Sequence, residues 1–165
     1  MRRNAIALLG LAAALAAGCS SPKPLSSRIL HNAVYPNDYV ERGKVRLKGG
    51  SYENSNNHIS VELLRIADGD LNGDGVPDAA VLLGSNTGGS AVFEDVVAVL
   101  NRKGGPDPRA RTFLGDRVRV DTLAIRDGAI YVHMIAHGPS DPMCCPTLAV
   151  SKTFAIKGDT LFERP

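Results

Sequence analysis

The sequence predicts a mainly β protein, α+β at most: a single antiparallel β-rich domain with one short N-terminal helix. Three observations lead there. Apolar and polar residues alternate with a period of two in several segments after residue 40, the pattern of half-buried strands. Two runs, Ala79-Ala80-Val81-Leu82-Leu83 and Val96-Val97-Ala98-Val99-Leu100, are apolar throughout, as strands covered on both faces are. Paired turn residues separate apolar segments at hairpin spacing. A length of 165 residues suits one domain, and 44% hydrophobic content at a net charge of +2 excludes disorder and a long repeat array.

The chain opens with Arg2 and Arg3, then thirteen uncharged residues from Ala5 to Ala17, and reaches Cys19 through Leu15-Ala16-Ala17-Gly18. A spanning helix needs ~20 apolar residues, so this run has the length of a signal-peptide core and not of a permanent anchor. It resembles a bacterial lipoprotein signal, in which a small residue precedes the cysteine that is acylated, with palmitate or a similar chain. Ala16 stands where a larger aliphatic residue is usual in that pattern. The resemblance implies a signal peptide over 1–18, lipidation at Cys19, and a lipid-anchored place in the bacterial cell envelope. Ser20, where Asp would mark retention, implies the periplasmic side of the outer membrane over the inner. The competing reading is an ordinary secretory peptide cut near Ala17. Removing Arg2 and Arg3 with the signal balances the remaining basic side chains against the seventeen acidic ones. A neutral chain has no bulk attraction for nucleic acid, so none is expected as a partner.

Residues 19–37 carry three prolines and several serines and read as the lipidated N-terminus and a tether, with the domain at 38–165. Within the tether Ser26-Ser27 can cap one short helix over Arg28 to Val34. Strands are expected around Val45 and Leu47, around Ile59, Val61 and Leu63, along the two apolar runs, and around Val118 and Val120. Asp127-Gly128 and Gly158-Asp159 predict two tight hairpins. Ser85 to Ser90 reads as a longer loop joining the central strands. The arginines at 102, 109, 111, 117, 119 and 126 read as solvated faces.

The most informative stretch is Asp68-Gly69-Asp70-Leu71-Asn72-Gly73-Asp74-Gly75-Val76-Pro77-Asp78. Between Ile66 and Asn101 there is no lysine or arginine, yet six carboxylates fall there, four of them within eleven residues. Carboxylates so close raise one another's pKa, and no local side chain offsets them. Oxygens at Asp70, Asn72 and Asp74 recur at every second residue, Gly75 permits a sharp turn, the Val76 carbonyl follows, and Asp78 returns at the ninth position. Calcium takes six to eight oxygen ligands, which alternating positions of a tight loop can supply. The expected ligand set is Asp70, Asn72, Asp74, Val76 and Asp78, holding structural Ca2+. The loop resembles the Asp-x-Asn-x-Asp-Gly-x-x-Asp loops of FG-GAP repeats, and dockerin loops are related. One copy cannot build a propeller, so that resemblance covers the loop and not the fold. An Asp/Gly-rich turn without metal is the competing reading.

A second unusual segment is His137-Gly138-Pro139-Ser140-Asp141-Pro142-Met143-Cys144-Cys145-Pro146, a stiff irregular loop by its prolines. With Cys19 acylated, Cys144 and Cys145 are the pair left for a vicinal disulfide in an oxidising compartment. His133, His137 and the two thiols also raise zinc, which the missing spacer between the cysteines disfavours. The two segments together resemble a group of small uncharacterised bacterial envelope proteins, a resemblance that implies a class and no reaction. No nucleophile elbow, Walker loop or dinucleotide loop is present. The reading is a membrane-tethered, calcium-stabilised, non-catalytic lipoprotein domain, a binding or structural module for an unknown envelope protein or ligand. The alternative is an envelope hydrolase or redox protein that uses His137, Asp141 and Cys144-Cys145.

Overall fold

The computed structural model describes residues 22–103 and 105–165; the expected signal peptide over 1–18 and the expected lipidation site Cys19 lie outside the described residues. The described residues form one short helix and eleven strands: α1 (Ser27–Leu30), β1 (Val34–Pro36), β2 (Lys44–Arg46), β3 (Ser51–Asn54), β4 (Ile59–Gly69), β5 (Asp78–Asn86), β6 (Phe93–Arg102), β7 (Gly105–Asp116), β8 (Arg119–Arg126), β9 (Ala129–Ala136), β10 (Leu148–Lys157) and β11 (Thr160–Arg164). They form a five-stranded sheet in the order β3-β4-β5-β6-β7, a four-stranded sheet in the order β11-β10-β9-β8, and a separate β1-β2 pair. Every pairing is antiparallel. The domain is thus β-rich, with one short helix, among the described residues, near its N-terminal side.

The two apolar runs explain themselves once the layers are in place. Side chains alternate across a strand. Ala80, Leu82, Val96, Ala98 and Leu100 face the four-stranded sheet and meet Ile130, Val132, Met134 and Phe154. Ala79, Val81, Leu83, Val97 and Val99 face the other way and meet Leu25, Leu30, Tyr35, Val45 and Leu47. The five-stranded sheet is therefore a middle layer with a core on each face. The outer sheet has one dry face, and β9 alternates accordingly, with Ile130, Val132 and Met134 buried between the half-exposed Tyr131 and His133.

The second core corrects the expected tether. Proline and serine content assigned residues 19–37 to a leash, yet Leu25, Leu30, Ala33 and Tyr35 are buried in that core. Ser26 caps α1 by accepting from the Ile29 amide, the Tyr35 hydroxyl donates to the Leu30 carbonyl at 2.7 Å, and the buried Asn37 amide donates to Ser85 Oγ at 2.9 Å. The serines and prolines lie mostly outward while the sparse apolar residues between them bury. The packed domain thus begins near Leu25 and not at residue 38.

Both expected hairpins are present: Asp127 (φ 49°) and Gly128 (φ 69°) join β8 to β9, and Gly158 (φ 60°) lies between β10 and β11. The loop Asp70 to Pro77 links β4 to β5 beside the first of these, since a Cβ on Gly69 would lie 2.6 Å from the Ile125 side chain. The residues from His137 to Thr147 link β9 to β10 at the far end of β9, which is eight residues long, about 26 Å away at ~3.3 Å per residue. The two unusual segments therefore sit at opposite ends of the sandwich.

Candidate functional site

The acidic loop is folded by its own side chains. Asp70 Oδ1 accepts from the amides of Asn72 at 3.2 Å and Gly73 at 2.7 Å, and Oδ2 accepts from Gly75 at 2.9 Å. Asn72 Oδ1 accepts from the Asp74 amide at 2.8 Å, while its Nδ2 donates to Asp74 Oδ2 at 3.0 Å. Asp74 Oδ1 takes the Val76 amide at 2.8 Å. Gly73 and Gly75 both hold φ at 78°, a conformation that side chains with a Cβ resist, and this lets the amides turn inward toward Asp70. The Gly75 amide, foremost among these donors, holds the Asp70 carboxyl below the ordinary carboxylate range.

Asp78 has a different place. It is fully buried at the start of β5, where Oδ2 accepts from the Leu71 amide at 3.0 Å and Oδ1 from the Asn101 amide at 2.7 Å. Burial raises its pKa, partly offset by those two bonds, and the charges of Asp74 and Asp70 raise it further. The structure thus brings Asp70, Asn72 and Asp74 together by direct bonds and places Asp78 beneath them as a brace between loop and sheet. Among the described residues no three Asp, Glu, His or Cys side chains converge as a metal-ligand cluster.

The donor chemistry fits a hard cation. The side chains of Asp70, Asn72 and Asp74 offer oxygens, and a carboxylate has about four lone-pair sites, of which the bonds above use two or three. None of Asp68, Asp70, Asp74 and Asp78 pairs with Lys or Arg among the described residues. Elsewhere Asp38, Asp95, Asp107, Asp116, Asp121 and Asp159 all do.

Asn101 is the residue that sequence reading passed over. Its amide serves Asp78, and its Nδ2 donates to the carbonyls of Pro77 and Lys23, each at 3.0 Å. The base of the acidic loop is thereby joined to the first described residues of the chain. Nothing in the local pattern marks an asparagine at the end of an apolar strand as such a hub.

At the other end the structure joins Cys144 and Cys145 in a disulfide, and both are exposed. Asp141 closes the loop around them: Oδ2 accepts from the amides of Gly138 at 2.8 Å and Thr147 at 2.7 Å, and Oδ1 accepts from the Thr147 hydroxyl at 2.8 Å. These bonds, Gly138 first, lower its pKa, and nearby His137 adds a smaller lowering. The Asp141 carboxylate acts as a clasp. His133 is held apart on β9 by Ser151 Oγ at 3.0 Å, and buried His137 Nε2 has no hydrogen-bond partner. The sulfurs are bonded to each other, so the two histidines and two thiols are not assembled as one ligand set.

Two further buried carboxylates went unmarked. Asp95 pairs with Arg111 at 3.3 Å, and the same guanidinium reaches Asp38. Burial pushes the Asp95 carboxyl up to about 6 despite Arg111. Arg111, expected on a solvated face, is instead a half-buried bridge between β6, β7 and the N-terminal layer, beside the stacked rings of Tyr39 and Phe93 at 4.8 Å. Glu94 faces the opposite way, with Oε2 unpartnered, and burial pushes it up to about 7. The pair Glu94-Asp95 entering an apolar run was the available signal. No family model, curated protein or solved structure matches the chain.

Proposed function

We propose that this chain is a lipid-anchored, non-catalytic domain of the bacterial cell envelope, stabilised by a calcium ion in the loop from Asp70 to Asp78. It serves as a binding or structural module. The observation that carries the reading is the unmatched charge of that loop and the end of β4 before it: four carboxylates, Asp68, Asp70, Asp74 and Asp78, within eleven residues, none with a Lys or Arg partner among the described residues. Asp70, Asn72 and Asp74 would hold the ion, with the Val76 carbonyl and Asp78 completing an all-oxygen set. A bound cation there offsets the repulsion and stiffens the connection between β4 and β5.

Extracellular calcium modules bind at ~10⁻⁴–10⁻³ M. At ~1 mM calcium and a dissociation constant of ~0.1 mM, occupancy stabilises the fold by ~1.4 kcal/mol. For a domain of this size that is about 3–6 °C in melting temperature. The test is a melt in excess EDTA against one in 1 mM calcium, for the wild type and for Asp74→Ala. The reading expects a shift that the variant abolishes; a melt indifferent to calcium overturns it. The anchor has its own test, since Cys19→Ser should release the protein from the membrane fraction.

A further inference from the structure

We infer that the acidic-loop end of the sandwich rests against the lipid surface that carries the anchor, while the cysteine loop points away from it. The inference deepens the lipid-anchor reading and rests on it. What orients the domain is the length and attachment of the leash.

The packed domain reaches back to Lys23. Asn101 Nδ2 holds the Lys23 carbonyl at 3.0 Å, and Leu25, two residues on, is buried in the core. Pro24 follows Lys23, which restricts the backbone at that residue to extended conformations. Only Ser20, Ser21 and Pro22 separate Lys23 from Cys19, four Cα-to-Cα steps in all. Fully extended they reach at most ~14 Å. The Lys23 carbonyl must therefore stay within that distance of the acylated residue, close to the headgroup layer.

Asn101 binds Pro77 with the same amide group, so the point of attachment is also the base of the acidic loop. The Asp127-Gly128 hairpin lies at the same end, because Gly69 packs on Ile125. So does the Gly158-Asp159 hairpin, which borders one hollow together with Leu71, Asn72 and Arg102. The cysteine loop lies the length of β9 further on, about 26 Å, beyond the reach of such a leash. The occupant of the lower end is thus the bilayer surface, and the upper end stays open to the envelope space.

Hydrogen exchange of the acylated full chain tests this, in vesicles of phosphatidylethanolamine and phosphatidylglycerol against the same protein in detergent micelles. The expected result is exchange slowed about threefold or more at residues 72–76, 127–128 and 158–159, with residues 87–91 and 138–145 unchanged. Equal slowing at both ends, or slowing at the cysteine loop alone, overturns the orientation while leaving the anchor standing. A chain whose mass carries no acyl group at Cys19 overturns the anchor and the orientation together. An insertion of eight Gly and Ser residues between Ser21 and Pro22 leaves the packed domain untouched. It should abolish the slowing without loss of vesicle binding; slowing that survives the insertion also counts against the leash as its cause.

Discussion

Asp70 and Asp141 each accept three hydrogen bonds inside an irregular connection, and in each case a backbone amide is the main reason the carboxyl stays below its ordinary pKa. The loops around them nevertheless end in different electrostatic states. Asp141 is the sole carboxylate between His137 and Pro146, and its three donors together with nearby His137 satisfy it. Asp70 is likewise held low by its amides, and the repulsion in this region shows instead at buried Asp78, which the charges of Asp74 and Asp70 push up. The same local device, a carboxylate that ties a loop through N–H groups, stands alone at one end of the molecule and at the other lies above a buried carboxylate that it repels.

The largest expected effect comes from the brace beneath the acidic loop. Asp78→Ala leaves the amides of Leu71 and Asn101 without their acceptors in a buried setting, at ~1–3 kcal/mol for each unsatisfied group. A loss of about 3 kcal/mol in urea unfolding is expected; a loss under ~0.5 kcal/mol would show that Asp78 is no brace.

Glu94, at the start of β6 and away from the acidic loop, is a third kind of carboxylate. Burial raises its pKa, the charge of Arg65 offsets this only in part, and a proton relieves the rest. Its folded pKa is about 7, above the ordinary 4.5, so between those values the folded state keeps a proton that the unfolded chain has released. Wild-type stability should therefore fall as pH rises through that window and level off above 7. Glu94→Gln should flatten this slope and gain on the order of 2 kcal/mol at pH 8, read from unfolding curves at pH 5 and pH 8. An unchanged slope contradicts the assignment.

Asp141→Ala should cost about 1 kcal/mol, because the bonds it loses lie near the surface. It should leave any calcium response intact; a change in that response would mean that the two ends are coupled. Reduction of the Cys144–Cys145 bond is the smallest of these perturbations. A bridge between neighbours encloses no intervening residues, so the entropy it removes from the unfolded chain is slight, and a change below about 0.5 kcal/mol is expected by calorimetry.

Much of the fold was legible because burial on both faces writes itself as uninterrupted apolar sequence, as at Ala79 to Leu83 and Val96 to Leu100. The hairpin at Asp127-Gly128 was legible because positive φ at both turn positions favours those residue types. The N-terminal layer was not. Its few buried residues, among them Leu25, Leu30 and Tyr35, are spaced among prolines and serines, and only the surface they cover makes them a set. Strand β7 was hidden by Pro106 and Pro108, which an edge strand tolerates because one side of its backbone needs no partner strand. Within the acidic loop the spacing marked Asp70, Asn72 and Asp74 as one group. The sheet decided that Asp78 would also serve the amides of Leu71 and Asn101.

Titration calorimetry reads directly whether the acidic loop takes a divalent cation. Calcium added to metal-free protein should give a single binding event with a dissociation constant of ~10⁻⁴–10⁻³ M, lost in Asp74→Ala and retained in Asp141→Ala. No heat from the wild type, together with a melting curve indifferent to calcium, would rule out the ion and leave a loop held by its own amides alone.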